Sequence, residues 1–274
     1  MIQHIFANAE PFPHMVIDDF LPADLLREAA AEFDTVPRDA WVRYDSPDEY
    51  GKRTCHRLDA MGPACRQVLA LLTHPTAAKI AGWLTGLDDL QGDTSLYGGG
   101  LHVTEPGGWL GIHADNERHP ATGLVRRLNL IVYCTPELVS GERLVVSGQE
   151  MSTASTTHHS TTHPSPLAPH LSPLELWDRA CTRRVRSIEP LFNRAVLFET
   201  GPRDYHGHPE PVRSPAGVSC GKAVPPSPPC PHIPSRKSIA VYYWSEPRRR
   251  ARFVGRADEA FDAPREAARV KRSR

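Results

Sequence analysis

Between Leu96 and Tyr133, glycine-rich corners alternate with strand-forming runs. Tyr97-Gly98-Gly99-Gly100-Leu101-His102 and Pro106-Gly107-Gly108-Trp109-Leu110 are places where backbone turns or approaches another segment closely, because glycine has no Cβ to obstruct it. Arg126-Arg127-Leu128-Asn129-Leu130-Ile131-Val132-Tyr133 is an apolar run of strand length and predicts a buried strand. At the centre stands Gly111-Ile112-His113-Ala114-Asp115. Side chains on a strand repeat every two residues, so His113 and Asp115 point to one side and can share one metal ion.

The dyad alone carries little weight: fourteen histidines and sixteen aspartates in 274 residues give about one His-x-Asp triplet by chance. A further ligand has to come from a distant strand. The apolar run Ala195-Val196-Leu197-Phe198 leads into Asp204-Tyr205-His206-Gly207-His208-Pro209, which offers His206. Two imidazoles and one carboxylate on one face of an ion leave the other face open, the arrangement of non-haem Fe(II) oxygenases. A rival set, His206-x-His208-x-Glu210, would share a strand face, but Pro209 and Pro211 remove donors that a regular ladder needs. His158, His159 and His163 lie in a tract with too little packing to preorganise a site.

Around these residues, five blocks in order resemble the prolyl 4-hydroxylase-like branch of the 2-oxoglutarate- and Fe(II)-dependent dioxygenases. They are the Leu96–Tyr133 stretch, Pro173-Leu174-Glu175-Leu176-Trp177-Asp178, Phe192-Asn193-Arg194-Ala195-Val196-Leu197-Phe198-Glu199-Thr200, Tyr205-His206-Gly207-His208-Pro209-Glu210-Pro211-Val212, and Arg236-Lys237-Ser238-Ile239-Ala240-Val241-Tyr242-Tyr243-Trp244. The resemblance implies a double-stranded β-helix, or jelly roll, with Fe(2+) held by His113, Asp115 and His206. Arg236 matches the family's basic position for the far carboxylate of 2-oxoglutarate, where an arginine grips bidentately. Lys237 should face the other way, and Tyr133 aligns with a position that hydrogen-bonds the same carboxylate in some relatives. Asn129 and Trp109 are candidates for the pocket wall. The implied chemistry consumes 2-oxoglutarate and O2, releases succinate and carbon dioxide, and hydroxylates a protein side chain, prolyl or other, or a small molecule. Ascorbate use is common in this branch. Retention of Asp115 argues against halogenation, for which relatives put a small residue there. The alternative is a jelly-roll metal-binding or regulatory protein, catalytically impaired, with disordered partner-binding insertions.

The rest of the chain reads as scaffold. Met15-Val16-Ile17 predicts an entry strand, and Leu21–Phe33, Pro63–Leu72 and Ala77–Thr85 carry helical spacing, with Gly86 as a stop. Helices ahead of a strand-rich remainder give an α+β class, with the N-terminal helices packed on one sheet. The polar, aromatic stretch 37–54 reads as an ordinary surface connection rather than a loop reaching over the site. Residues 1–246 form the expected dioxygenase domain. Ser/Thr/Pro/His-rich segments near 139–172 and 214–234 read as disordered insertions, because they have little to bury. Each interrupts a family block as an inserted segment or a translated intron would, and transcript sequencing across both junctions separates the two. Residues 247–274 form a basic C-terminal tail with ten Lys or Arg against four acids, read as a solvated end rather than a nucleic-acid contact.

The formal net charge is zero, so no whole-protein field selects nucleic acid or a membrane. Six scattered cysteines give neither a zinc ribbon nor a disulfide framework. No run is long enough to span a bilayer, and the amino terminus lacks a secretory pattern, which points to the cytoplasm.

Overall fold

The computed structural model describes residues 1–115, 118–136, 171–212 and 234–247. Its helices are α1 (Ile2–Ala7), α2 (Ala23–Glu32), α3 (Pro63–Thr73) and α4 (Pro75–Thr85). The strands that interleave with them or directly follow are β1 (His14–Ile17), β2 (Val42–Ser46), β3 (Glu49–Cys55) and β4 (Gln91–Gly92). Then come β5 (Gly100–His113), β6 (Val125–Tyr133), β7 (Leu174–Trp177), β8 (Arg184–Ile188), β9 (Ala195–Glu199), β10 (His206–His208) and β11 (Arg236–Ser245). Pro63 and Pro75 open α3 and α4, where a missing N–H costs no helical hydrogen bond. Gly86 ends α4 in the left-handed conformation, as expected.

The strands pair in the order β1-β9-β6-β11-β5-β10-β7-β8, with β2 on β3, β3 on β5 and β4 on β11, every pairing antiparallel. This is the curled antiparallel sheet of a jelly roll with helices at its back, an α+β fold. The long β5 makes the corner. Residues 100–104 pair with β11, whereas Leu110 and His113 pair with β10. Between the two lies Pro106-Gly107-Gly108, anchored by Gly107 N donating to Val212 O at 2.8 Å and Val212 N donating to Gly108 O at 3.1 Å.

Alternation then separates two environments. Leu101, Val103, Leu128, Leu130, Val132, Ile239 and Val241 face α2 and α3, whose apolar stripes include Leu26, Ala29, Val68, Leu69 and Leu72. The interleaved His102, Thr104, Asn129, Arg236 and Ser238 line an inner cavity. A second apolar cluster of Phe12, Tyr133, Leu174, Leu176, Ile188, Val196 and Phe198 packs on that inner side. Burying aliphatic side chains such as Leu26 and Leu69 removes them wholly from water, worth about 1.5–3 kcal/mol each.

Two expectations change. The stretch 37–54 is no ordinary connection: Val42–Ser46 and Glu49–Cys55 form a hairpin turning at Pro47-Asp48, paired onto β5 and lining the cavity. Its long polar side chains looked like a solvated loop, but Tyr44, Lys52 and Thr54 line the cavity. Asp115 also lies two residues past the end of β5 rather than on it. The proposed insertions and basic tail fall almost wholly on residues 137–170, 213–233 and 248–274, outside the described residues. Among the described residues, Cys55, Cys65 and Cys134 are buried free thiols and Cys181 is an exposed one, and no helix is long and apolar enough to cross a membrane.

Candidate metal centre

His113 and His206 come together because β10 pairs with β5 in a register that sets them directly opposite. Their ring centroids are 4.6 Å apart. Asp115 bends in behind them, with Oδ1 3.8 Å from His113 Nε2 and Oδ2 3.4 Å from His206 Nε2. One ligand atom from each of the three lies within 4.8 Å of the others. Both rings are held by the backbone: Nδ1 of His113 is 3.0 Å from Gly111 O, and Nδ1 of His206 is 3.0 Å from Asp204 O. A carbonyl only accepts, so each Nδ1 carries the proton and each Nε2 turns its lone pair to the common point.

The carboxylate is held from the far side. Arg126 Nη1 is 3.1 Å from Asp115 Oδ1, and Asn129 Nδ2 donates to Asp115 Oδ2. Arg126 is 4% exposed and its guanidinium carbon lies 4.0 Å from the Tyr242 ring centroid and 5.1 Å from that of Trp244. Burial pushes the Asp115 carboxyl up, but the charges of His206, Arg126 and His113 and the Asn129 hydrogen bond outweigh it and hold it at about 2. Burial pulls His206 down to about 4 against the attraction of Asp115. A deprotonated carboxylate and neutral imidazoles are the forms that bind a metal.

A cavity of about 650 Å³ opens on this cluster. Four buried polar atoms in its wall have no hydrogen-bond partner among the described residues: Arg126 Nε, Asn129 Oδ1, His208 Nδ1 and Arg236 Nε. Orphaned buried groups are costly unless something fills them. Arg236, 5% exposed, donates from Nη2 to the Tyr133 hydroxyl at 3.1 Å and stacks on that ring at 4.8 Å. Burial raises the Tyr133 pKa, so the hydroxyl keeps its own hydrogen to donate. Lys237 faces the opposite way, to Asp34 and Ala30 O. Asn129 lines the cavity, while Trp109 pairs with Tyr50 outside its wall.

Sequence reasoning gave no role to Arg126, considered His208 only within a rival metal set, and took the β2–β3 hairpin for an ordinary surface connection. Strict alternation would put Arg127, not Arg126, on the side of Asn129. A bulge opposite Tyr243 and Trp244 pairs Arg126 with Trp244 and turns it inward. The rival His206-x-His208-x-Glu210 set does not form: among the described residues His206 clusters with His113 and Asp115, not with His208 or Glu210. His208 is buried in the cavity wall with Nε2 3.5 Å from Thr104 Oγ1.

The enclosed histidines set an acid limit on the fold. Desolvation lowers His102 to about 3 and His206 to about 4, and puts His208 well below 6.5. The unfolded chain therefore binds more protons than the folded one below pH 6.5, and stability falls as pH drops from about 6.5 to about 3. Asp115, lowered from 3.8, extends the loss to about pH 2. Urea midpoints are expected to be level above pH 7 and lower at pH 5. A midpoint unchanged between pH 7.5 and 5 would contradict the burial of these rings.

The pattern of the 2OG-Fe(II) oxygenase superfamily matches residues 99–244, more than half of the 274 residues. A Pseudomonas putida prolyl-4-hydroxylase aligns over 90% of this chain and 100% of its own, with a TM-score of 0.53 at 16% identity. A prolyl hydroxylase in complex with a hypoxia inducible factor oxygen degradation domain peptide fragment, from Trichoplax adhaerens, gives 0.50 at 13% identity, over 89% of this chain and 88% of that one. At such identities the likeness is one of fold. No curated protein matches the chain in sequence.

Proposed function

The chain belongs to the 2OG-Fe(II) oxygenase superfamily, and from that premise we propose that it is a 2-oxoglutarate-dependent dioxygenase that hydroxylates a protein side chain, prolyl among the candidates, or a small molecule. The observation that carries this reading is the convergence of His113, Asp115 and His206, ligand atoms within 4.8 Å, on a cavity that also holds the buried Arg236. Two imidazoles and a carboxylate fit Fe(II) and leave coordination positions for a chelating keto acid and dioxygen. Iron, when bound, supplies the redox chemistry that couples decarboxylation of 2-oxoglutarate by dioxygen to hydroxylation.

The protein's own groups bind and orient. His113 and His206 would present Nε2, fixed by their backbone carbonyls, and Asp115 would present a carboxylate kept ionised by Arg126. Arg236 and Tyr133 would take the far carboxylate of 2-oxoglutarate, the first through N–H groups not used on Tyr133 and the second through its hydroxyl hydrogen. The substrate would enter between the β2–β3 hairpin and the 119–121 turn, past Tyr44, His56, Tyr97 and Pro120.

Anaerobic titration with Fe(II) and 2-oxoglutarate is expected to give a chelate absorbance band, and succinate should form on admitting oxygen, with ascorbate present to keep iron ferrous. His206→Ala should lose both signals. A chelate band of full intensity in His206→Ala would refute the assignment, and a natural chain that binds the metal but never releases succinate would favour the regulatory alternative.

A further inference from the structure

Three neighbouring strands carry a row of polar side chains across the cavity wall. Lys52 on β3 pairs with Thr104 on β5, and Thr104 pairs in turn with Arg236 on β11. Directly opposed residues of antiparallel strands project from the same face, and all three line the cavity. His208 completes the corner beside Thr104, with its Nδ1 unpartnered. Thr104 is thus flanked by Lys52 on one side and Arg236 on the other, which puts both cations on the patch of wall that holds His208. Arg236 has no carboxylate partner among the described residues, and Lys52 has one, Glu49 at 2.9 Å. Two cations set around one desolvated corner repel each other unless an anion lies between them.

Lys52 is placed there by its backbone. Gly51 has φ +60, and a Cβ on it would come 3.1 Å from Gly108 Cα, so the hairpin lies tight against the β5 corner just before Lys52. The Lys52 ammonium lies 5.1 Å from the Tyr44 ring centroid, and Thr54 Oγ1 donates to the Tyr44 hydroxyl at 3.4 Å. Tyr44 and Thr54 line the cavity as well. Among the described residues the hairpin pairs only with β5, with β2 outermost and mostly exposed.

We propose that Lys52 is a second cation for the far carboxylate of 2-oxoglutarate, so that the bound cosubstrate ties β11 to the β2–β3 hairpin and fixes the Tyr44 wall before substrate enters. This rests on the reading of the cavity as a 2-oxoglutarate site. Lys52 is a cosubstrate-binding residue in this scheme: it touches the end of the cosubstrate remote from the metal and, through Tyr44, orders the wall that meets the substrate.

The test uses the full chain loaded with Mn(II), which needs no oxygen exclusion, and reads 2-oxoglutarate affinity by calorimetry and amide hydrogen exchange over residues 42–55. In the natural chain 2-oxoglutarate should slow exchange across the hairpin. Lys52→Met, which keeps the stem packed on Tyr44, should weaken 2-oxoglutarate binding about tenfold, the effect of one charge-assisted contact. It should also remove the added protection while leaving Mn(II) affinity unchanged, and Lys52→Arg should retain both. Unchanged 2-oxoglutarate affinity in Lys52→Met, or a natural chain that binds 2-oxoglutarate without protecting the hairpin, overturns the proposal. If Arg236→Met loses binding and Lys52→Met does not, this inference alone fails. If the natural chain takes Mn(II) but no 2-oxoglutarate, the underlying function fails with it.

Discussion

Gly207→Ala is expected to abolish metal binding in a chain that still folds. Gly207 stands between His206 and His208 on β10, and a Cβ there would lie 2.5 Å from Gly111 O and 3.0 Å from Leu110 O, both backbone atoms of β5. Backbone cannot rotate aside as a side chain can, so β10 has to move off β5, taking His206 away from His113. Overpacking of this kind costs about 1–3 kcal/mol of stability, which a jelly roll with a large core between its sheet and its helices should survive. The site should not, since ligand distances around a metal hold to within about 0.2 Å and moving β10 off β5 carries His206 out of that range. Calorimetric titration with Mn(II), beside a circular dichroism melt, checks both halves. Wild-type metal affinity in a folded Gly207→Ala chain would mean that the β5–β10 register does not build the site.

Asp115→Ala should do more damage than the loss of one ligand. It leaves Arg126, 4% exposed and in ion-pair contact with Asp115, as an uncompensated buried charge, and removing one partner of such a pair typically costs about 3–5 kcal/mol. The faces of Tyr242 and Trp244 against the guanidinium place the expected loss at about 3 kcal/mol, the lower end of that range. Arg126→Met should relieve most of it in the double variant, with metal binding still absent. Arg126→Met alone should keep the three ligands but weaken metal affinity about 10–100-fold, as loss of a partner that orients a ligand does. Denaturant unfolding of the four chains gives the coupling energy. Additive effects of the two substitutions would show that Arg126 and Asp115 do not support each other.

A strand's period of two and a helix's period of 3.6 are written locally, and what depends on them was legible. The helices at 23–32, 63–73 and 75–85, the strand ending at Tyr133, and the opposed faces of Arg236 and Lys237 all follow from spacing. So does the pairing of His113 with Asp115, although Asp115 turns out to sit just beyond its strand. The meeting of these residues with His206, some ninety positions on, was inferred from chemistry rather than seen in spacing, and the β5–β10 register supplies it.

What stayed hidden depends on pairing between distant segments. Arg126 faces the carboxylate only because β6 skips a residue against β11, more than a hundred positions away, and no count along 125–133 registers that slip. Lys52 and Arg236 share a corner only because two further strands both pair with Thr104. Residue types determined which chemistry this chain can support, because donor atoms and periodicity belong to each residue and its neighbours. Register and bulges decided where the cations stand, because inter-strand hydrogen bonds fix position between segments that the sequence keeps far apart.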